Sequence, residues 1–258
     1  MQIEKLKSPI VTVEDWFNLA PPQKGEAHWV DGRSAKECAQ AWCGGSSGPQ
    51  VPDEIARLLH SHVDLQGWRL DRVTPEHRVS FDQWGEPRHT DIAAWGVDGQ
   101  GPLCVHIEAK ADESFDRRVT EVLDGAVKKI ANDVNTNAIS RVQGLAKSLM
   151  GLGREGLPRL GDLRYQLLTA VAGLLADAQK TNAAHAVFIV HEFVSSQTNS
   201  MKQQSNAQDL NDFVARLSGG SVAALSEGKL EGPFLVPTRP LFEKVVPLFL
   251  GKAVRIIP

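Results

Sequence analysis

The chain has 258 residues, 42% hydrophobic and 23% charged, a balance ordinary for a globular protein and ample for a packed core. A net charge of −3 gives no global basic field, which argues against a non-specific nucleic-acid coat while leaving room for a locally basic cleft. Cys38, Cys43 and Cys104 make neither an even disulfide framework nor a CxxC pair, no stretch approaches the roughly 18 apolar residues of a membrane span, and the N-terminus lacks a signal-peptide apolar run. The expectation is a cytoplasmic protein with no membrane partner.

Residues 1–50 read as an N-terminal extension, punctuated by "APPQKG" and "CGGSSGPQ". Between these, "DGRSAKECAQAW" predicts a short helix capped by Asp31 or Ser34, with Ala35, Cys38, Ala39 and Trp42 as its stripe. It offers no assignable chemistry, and packing against the following domain is its default role. "VPDEIARLLHSHV" predicts a second helix, with Ile55, Leu58 and Leu59 on one face and Pro52 near its start. The period then changes. "WRLDRV", "HRVSFDQW", "TDIAAWGV" and "LCVHIEAKA" alternate as four short strands, the last two joined by the strong turn "DGQG".

"FDRRVTEVLDGAVKKIAND" is amphipathic at helical spacing and directs Val119, Val122, Leu123, Ala126, Val127 and Ile130 inward. The Gly-rich stretch from Thr136 to Asp162 predicts a broken helix and loop. "LRYQLLTAVAGLLADAQKTN" predicts a helix, "HAVFIVHEFV" a strand buried on both faces, and "NAQDLNDFVARLSG" a further helix. The proline-interrupted tail, 219–258, is expected to pack on the edge of a core spanning 51–218. One α/β domain is the simplest account.

In "CVHIEAKADESF", Val105, Ile107 and Ala109 share one strand face, and His106, Glu108 and Lys110 the other. Asp91 stands on the preceding strand, 108 − 91 = 17 positions earlier, so a hairpin brings it level with Glu108 and Lys110. Neighbouring carboxylates repel unless a cation lies between them. Their hard oxygens suit Mg²⁺ or Mn²⁺, and the Ala109 carbonyl could add a ligand. Lys110 could orient a water or stabilise charge on a phosphoryl group. Arg88, Arg117, Arg118, Lys128 and Lys129 flank the strand as a candidate phosphate rim, diluted by Asp116, Glu121 and Asp124. His106-x-Glu108 lacks the PCxxC partner of a zinc deaminase, His60 and His62 do not share a helical face, and no GxxxxGK[ST], GxGxxG, GxSxG or HExxH occurs.

The run "PRHTD" followed by "EAK" on the next strand resembles the PD-(D/E)XK nuclease superfamily, with Asp91, Glu108 and Lys110 at the matching positions and three residues between Pro87 and the aspartate. The resemblance implies a restriction-endonuclease-like core, a mixed central sheet flanked by helices, and residues 51–195 follow its order of helix, three-strand meander, helix, strand and helix. It also implies an extra acidic metal ligand from the helix before the meander, Glu54, and an active-site glutamine from a later helix, Gln166. The activity it implies is Mg²⁺- or Mn²⁺-dependent phosphodiester hydrolysis of nucleic acid, DNA foremost, with a homodimer allowed. Competing readings are a solvated Glu–Lys face, a fold-retaining module that binds nucleic acid or protein without catalysis, and a hydrolase of RNA or another phosphate-containing substrate.

Overall fold

The long alternating stretches in the middle of the chain assemble first-neighbour hairpins, and everything else is arranged around them. A computed structural model describes residues 1–46, 48–84, 86–151, 153 and 155–257. Ser47, Gly85, Leu152 and Arg154, which fall in the expected loops, lie outside the described residues, as does Pro258.

In chain order the elements are β1 (Gln2–Lys5), β2 (Ser8–Pro9), α1 (Val13–Leu19), α2 (Ser34–Cys43), α3 (Asp53–His60), β3 (Arg69–Val79), β4 (Arg88–Asp98), β5 (Gly101–Lys110), α4 (Val119–Ala131), α5 (Ala138–Leu149), α6 (Tyr165–Lys180), β6 (His185–Val194), α7 (Ser200–Leu217), β7 (Leu230–Phe234) and β8 (Leu248–Ile256). The strands form one mixed eight-stranded sheet in the order β2-β1-β3-β4-β5-β6-β8-β7. Strands β3, β4 and β5 are an antiparallel meander, and β6 and β8 then add parallel to β5. One face is covered by α4 to α7 and the other by α1 to α3, each over its own apolar core. This is the expected α/β architecture, a mixed sheet between two helical layers.

Local chemistry explains the joints. Asp98 closes the β4–β5 turn by accepting the N–H groups of Gln100 (2.7 Å) and Gly101 (3.1 Å), and Gly101 adopts φ +148°, which a side chain would resist. The other Asp98 oxygen meets His185 Nδ1 at 2.7 Å, pinning the start of β6 to that turn. Helix α6 is apolar nearly all round, and Leu167, Val171, Leu174 and Leu175 are buried as their spacing predicts.

Several expectations change. "WRLDRV" and "HRVSF" are parts of one strand, β3, so the meander has three strands rather than four. Residues 138–149 form a complete helix, α5. On α4, Val127 is 58% and Ile130 52% exposed, because the helix meets the core along Val119, Val122, Leu123 and Ala126 and its last turn runs clear of it. The tail adds two strands beyond β6: β8 lies between β6 and β7 with Leu248, Phe249, Leu250 and Gly251 buried, and β7 is the edge strand. The extension 1–50 packs onto the sheet, where β1 pairs with β3 and α2 buries Trp42 completely. Neither Asp31 nor Ser34 caps α2. Its N-cap is Arg33, and Glu37 turns back to accept the Gly32 N–H at 2.7 Å.

Candidate active site

On β5 the alternation holds throughout. Val105, Ile107 and Ala109 enter the core under α1 to α3, while Glu108 and Lys110 point to α6. On β3 and β4 it slips. Val73 belongs to the core under α1 to α3, yet Val79, six positions on, lies in the opposite core. An unbroken strand keeps residues of one parity on one face. On β4, likewise, Ile92 and Ala94 join the first core, whereas Thr90 faces the His106 ring and Arg88 passes over Gly173 of α6. The ladder runs from Pro75↔Ile92 directly to His77↔Thr90, and the skipped residues are Glu76 and Asp91. Glu76 takes the left-handed φ of +47°, a conformation costly for a residue with a Cβ. The Lys5 ammonium holds this gap in the ladder by donating to the carbonyls of Pro75 (2.9 Å) and Glu76 (2.6 Å).

The β4–β5 ladder ends at Ile92↔Ile107. Beyond it, the Asp91 carboxylate accepts the Ala109 N–H at 2.7 Å. Glu108 is held from three sides. One oxygen accepts from Lys110 Nζ (3.0 Å) and Gln166 Nε2 (2.5 Å), and the other from the Arg88 guanidinium. Lys110 Nζ also donates to Gln166 Oε1 at 3.2 Å and lies 5.2 Å from the centre of the Phe115 ring. Asp91, Glu108, Lys110 and Gln166 line one cavity of about 360 Å³, together with Glu76, Arg88 and His89. The structure thus brings four of the five sequence-designated residues together.

Glu54 is the exception, and its expected place as a metal ligand is corrected. It sits at the start of α3, and its carboxylate accepts from Arg255 Nε (2.6 Å), Arg255 Nη2 (3.0 Å) and His191 Nε2 (2.8 Å). It lies outside the cavity and fastens α3 to β6 and β8. Burial opposes its ionisation, but the bonds from His191 and Arg255 outweigh this and bring its pKa down to about 2.

The cavity is electrostatically crowded. Burial raises the pKa of Asp91, and repulsion from Glu108 adds to it, against Lys110, the Ala109 N–H and Arg88. Burial and the charges of Asp91 and Glu108 push Glu76 up to about 8, opposed by Lys5 and Arg88. Glu108 is also penalised by burial, but Lys110 and then Arg88 hold it below its ordinary value. One carboxylate is therefore clasped by cations, beside two that resist ionising. Crowding of this kind is what a divalent cation relieves. The donor set fits Mg²⁺ or Mn²⁺: oxygens of Asp91 and Glu108 with the Ala109 carbonyl. A cation held by Asp91 and Glu108 would compete with the Arg88 guanidinium for Glu108. Among the described residues, no three His, Cys, Asp or Glu side chains already form a metal cage.

Sequence reasoning missed Glu76, because it falls at the join between two expected strands. The signal was Pro75, since proline inside a strand pattern marks a bulge or an edge. It also missed what "DGRSAKECAQAW" does. Arg33 pairs with Asp112 (2.7 Å) and Glu113 (3.3 Å), and Ser34 donates to Glu113 at 3.2 Å, so α2 clamps the segment just after "EAK". Of the expected basic rim, only Arg88 reaches the cavity. Arg117 and Arg118 lie nearest Asp116 and Asp162, and Lys128 and Lys129 are exposed on α4.

None of the curated proteins and none of the solved structures matches the chain. No helix is long and apolar enough to cross a membrane among the described residues. A family model described as Domain of unknown function (DUF6946) matches residues 9–253. That match takes in the whole meander, the clamp of α2 and the first part of β8, and the chain belongs to the DUF6946 family.

Proposed function

We propose that this cavity is the active site of a metal-dependent phosphodiester hydrolase acting on nucleic acid, with Mg²⁺ or Mn²⁺ as cofactor and DNA as the leading substrate. The observation that carries the reading is the joint placement of Asp91, Glu108, Lys110 and Gln166 in one cavity, with Gln166 bonded to both Glu108 and Lys110. Asp91 and Glu108 would hold the cation. Bound there, it would supply Lewis-acid polarisation of a phosphoryl oxygen and a more acidic water. Lys110 presents its ammonium to the attacking water or to charge building on the phosphate. Gln166 fixes the rotamers of Glu108 and Lys110 by bonding both, and Phe115 limits the freedom of the ammonium.

One observation favours a second reading, a module that binds nucleic acid or protein without cutting. Both Glu108 oxygens already accept from Arg88, Lys110 and Gln166, a self-satisfied arrangement that needs no cation. Cleavage assays on single- and double-stranded DNA and RNA in Mg²⁺ or Mn²⁺ separate the two. The hydrolase reading expects EDTA-sensitive cutting that falls at least about 100-fold in Asp91→Ala, Glu108→Ala and Lys110→Ala. Wild-type protein that cuts none of these substrates, or Lys110→Ala protein that cuts at the wild-type rate, overturns it.

A further inference from the structure

Resting on the reading of this cavity as a phosphodiester site, the geometry points to a single-stranded nucleic-acid end as its substrate, with one nucleotide seated beneath a roof built by residues 16–38. The floor of the cavity is the strand ends that carry Asp91, Glu108 and Lys110. Its opposite wall comes from Trp16 of α1, Trp29 of the connecting loop and Arg33 beside α2. That wall is fixed rather than loose. Arg33 is tied to Asp112 at 2.7 Å, and Asp112 in turn accepts the Asn199 N–H at 3.0 Å. The Trp29 ring packs on Phe17 with centroids 5.0 Å apart, and the residue is only half-buried. A held, half-open indole facing a phosphate-type site is a surface on which a base stacks, whatever its identity.

Size and charge agree. About 360 Å³ accommodates something of the order of one nucleotide. A double helix, whose major groove alone is about 12 Å wide, does not enter such a space. Leading to the floor is a basic edge across β3 and β4. Arg78 and His89 are cross-strand partners, Arg78 is exposed, and Lys5 and Arg88 lie close to the same imidazole. Burial first, and then these three cations, keep His89 below its usual pKa. Glu86 lies by the same imidazole and Arg88 is paired with Glu108, so the exposed Arg78 is the cation of this edge open to a phosphate backbone running toward the cavity.

The test is fluorescence anisotropy with a short labelled oligonucleotide, single-stranded or as a blunt duplex, in Ca²⁺ and again without divalent ion. Cleavage of the same molecules in Mg²⁺ and Mn²⁺ runs in parallel. The single strand should bind at least about tenfold tighter than the duplex. Trp29→Ala should weaken it about tenfold, the low range for losing one stacked base, and Trp29→Phe should restore most of the loss. Arg78→Ala should weaken binding and flatten its salt dependence. Val127→Ser, on the exposed face of α4, should change nothing. Equal affinity for the blunt duplex, or Trp29→Ala protein with an unchanged melting temperature and unchanged binding, overturns the inference. Metal-dependent cutting of duplex alone would sink this inference and leave the hydrolase reading standing. Tight single-strand binding with no cutting under any metal would overturn the hydrolase reading and, with it, the substrate inferred here, leaving a cleft that binds single strands.

Discussion

Glu54 and Glu108 are both buried carboxylates bound by cations, yet they differ in purpose, and their partners show why. Glu54 spends its oxygens on Arg255 and His191, side chains of the sheet itself. It should therefore act on stability. Its folded pKa lies near 2, below the usual value of 4.5. A depressed carboxylate contributes stability that is fully present above its unfolded pKa and is lost as pH falls through the folded one. Glu54→Gln should cost about 2–3 kcal/mol at pH 7, at or below the roughly 3–5 kcal/mol of a fully buried pair because Arg255 is one-third exposed. The gap to wild type should close between about pH 4.5 and 2. Denaturant titrations across that range check this, and a difference that persists undiminished at the acid end would contradict it.

The slip at Glu76 and Asp91 is the element that makes the cavity, since it lets β3 and β4 deliver polar residues where alternation would have placed core. Because Glu76 adopts φ +47°, Glu76→Gly should stabilise the protein by about 1 kcal/mol, whereas the β-branched Glu76→Val should destabilise it by about 1–2 kcal/mol. Thermal melts of the two variants decide. Equal effects would mean that the backbone at this position carries no strain. What could be read from the sequence follows the same line. β5, α6 and β6 were legible because one period governs each from end to end, and with them came Glu108, Lys110 and Gln166. Asp91 was legible from hairpin spacing. Glu76 was not, because a single left-handed residue shifts a strand's parity without leaving a hydrophobic signature. The place of β8 inside the sheet was hidden by the prolines before it, although its own run, "LFLGKAV", is as apolar as that of β6. The outward turn of Val127 and Ile130 was invisible because periodicity gives the direction of a stripe and not how far its cover extends.

At the scale of the molecule, site and fold share the same fastenings. β1 extends the sheet beyond β3, α2 clamps the segment after β5, and β8 lies between β6 and β7. Protein lacking residues 1–50 would expose the core that Trp16, Trp42 and Ile3 now cover. It should lose the cooperative melt of the full chain, as circular dichroism would register. A truncated protein melting as sharply as the full chain would show that the N-terminal region is dispensable.

The central claim is that Asp91 and Glu108 share a divalent cation in the cavity. Calorimetric titration of Mn²⁺ into wild type, Asp91→Asn, Glu108→Gln and Lys110→Ala addresses it most directly. The account predicts one saturable binding event in the wild type, its loss in both carboxylate variants, and equal or tighter binding in Lys110→Ala, where a competing ammonium has been removed from Glu108. A wild-type protein that takes up no Mn²⁺, or carboxylate variants that bind it as the wild type does, would contradict the account.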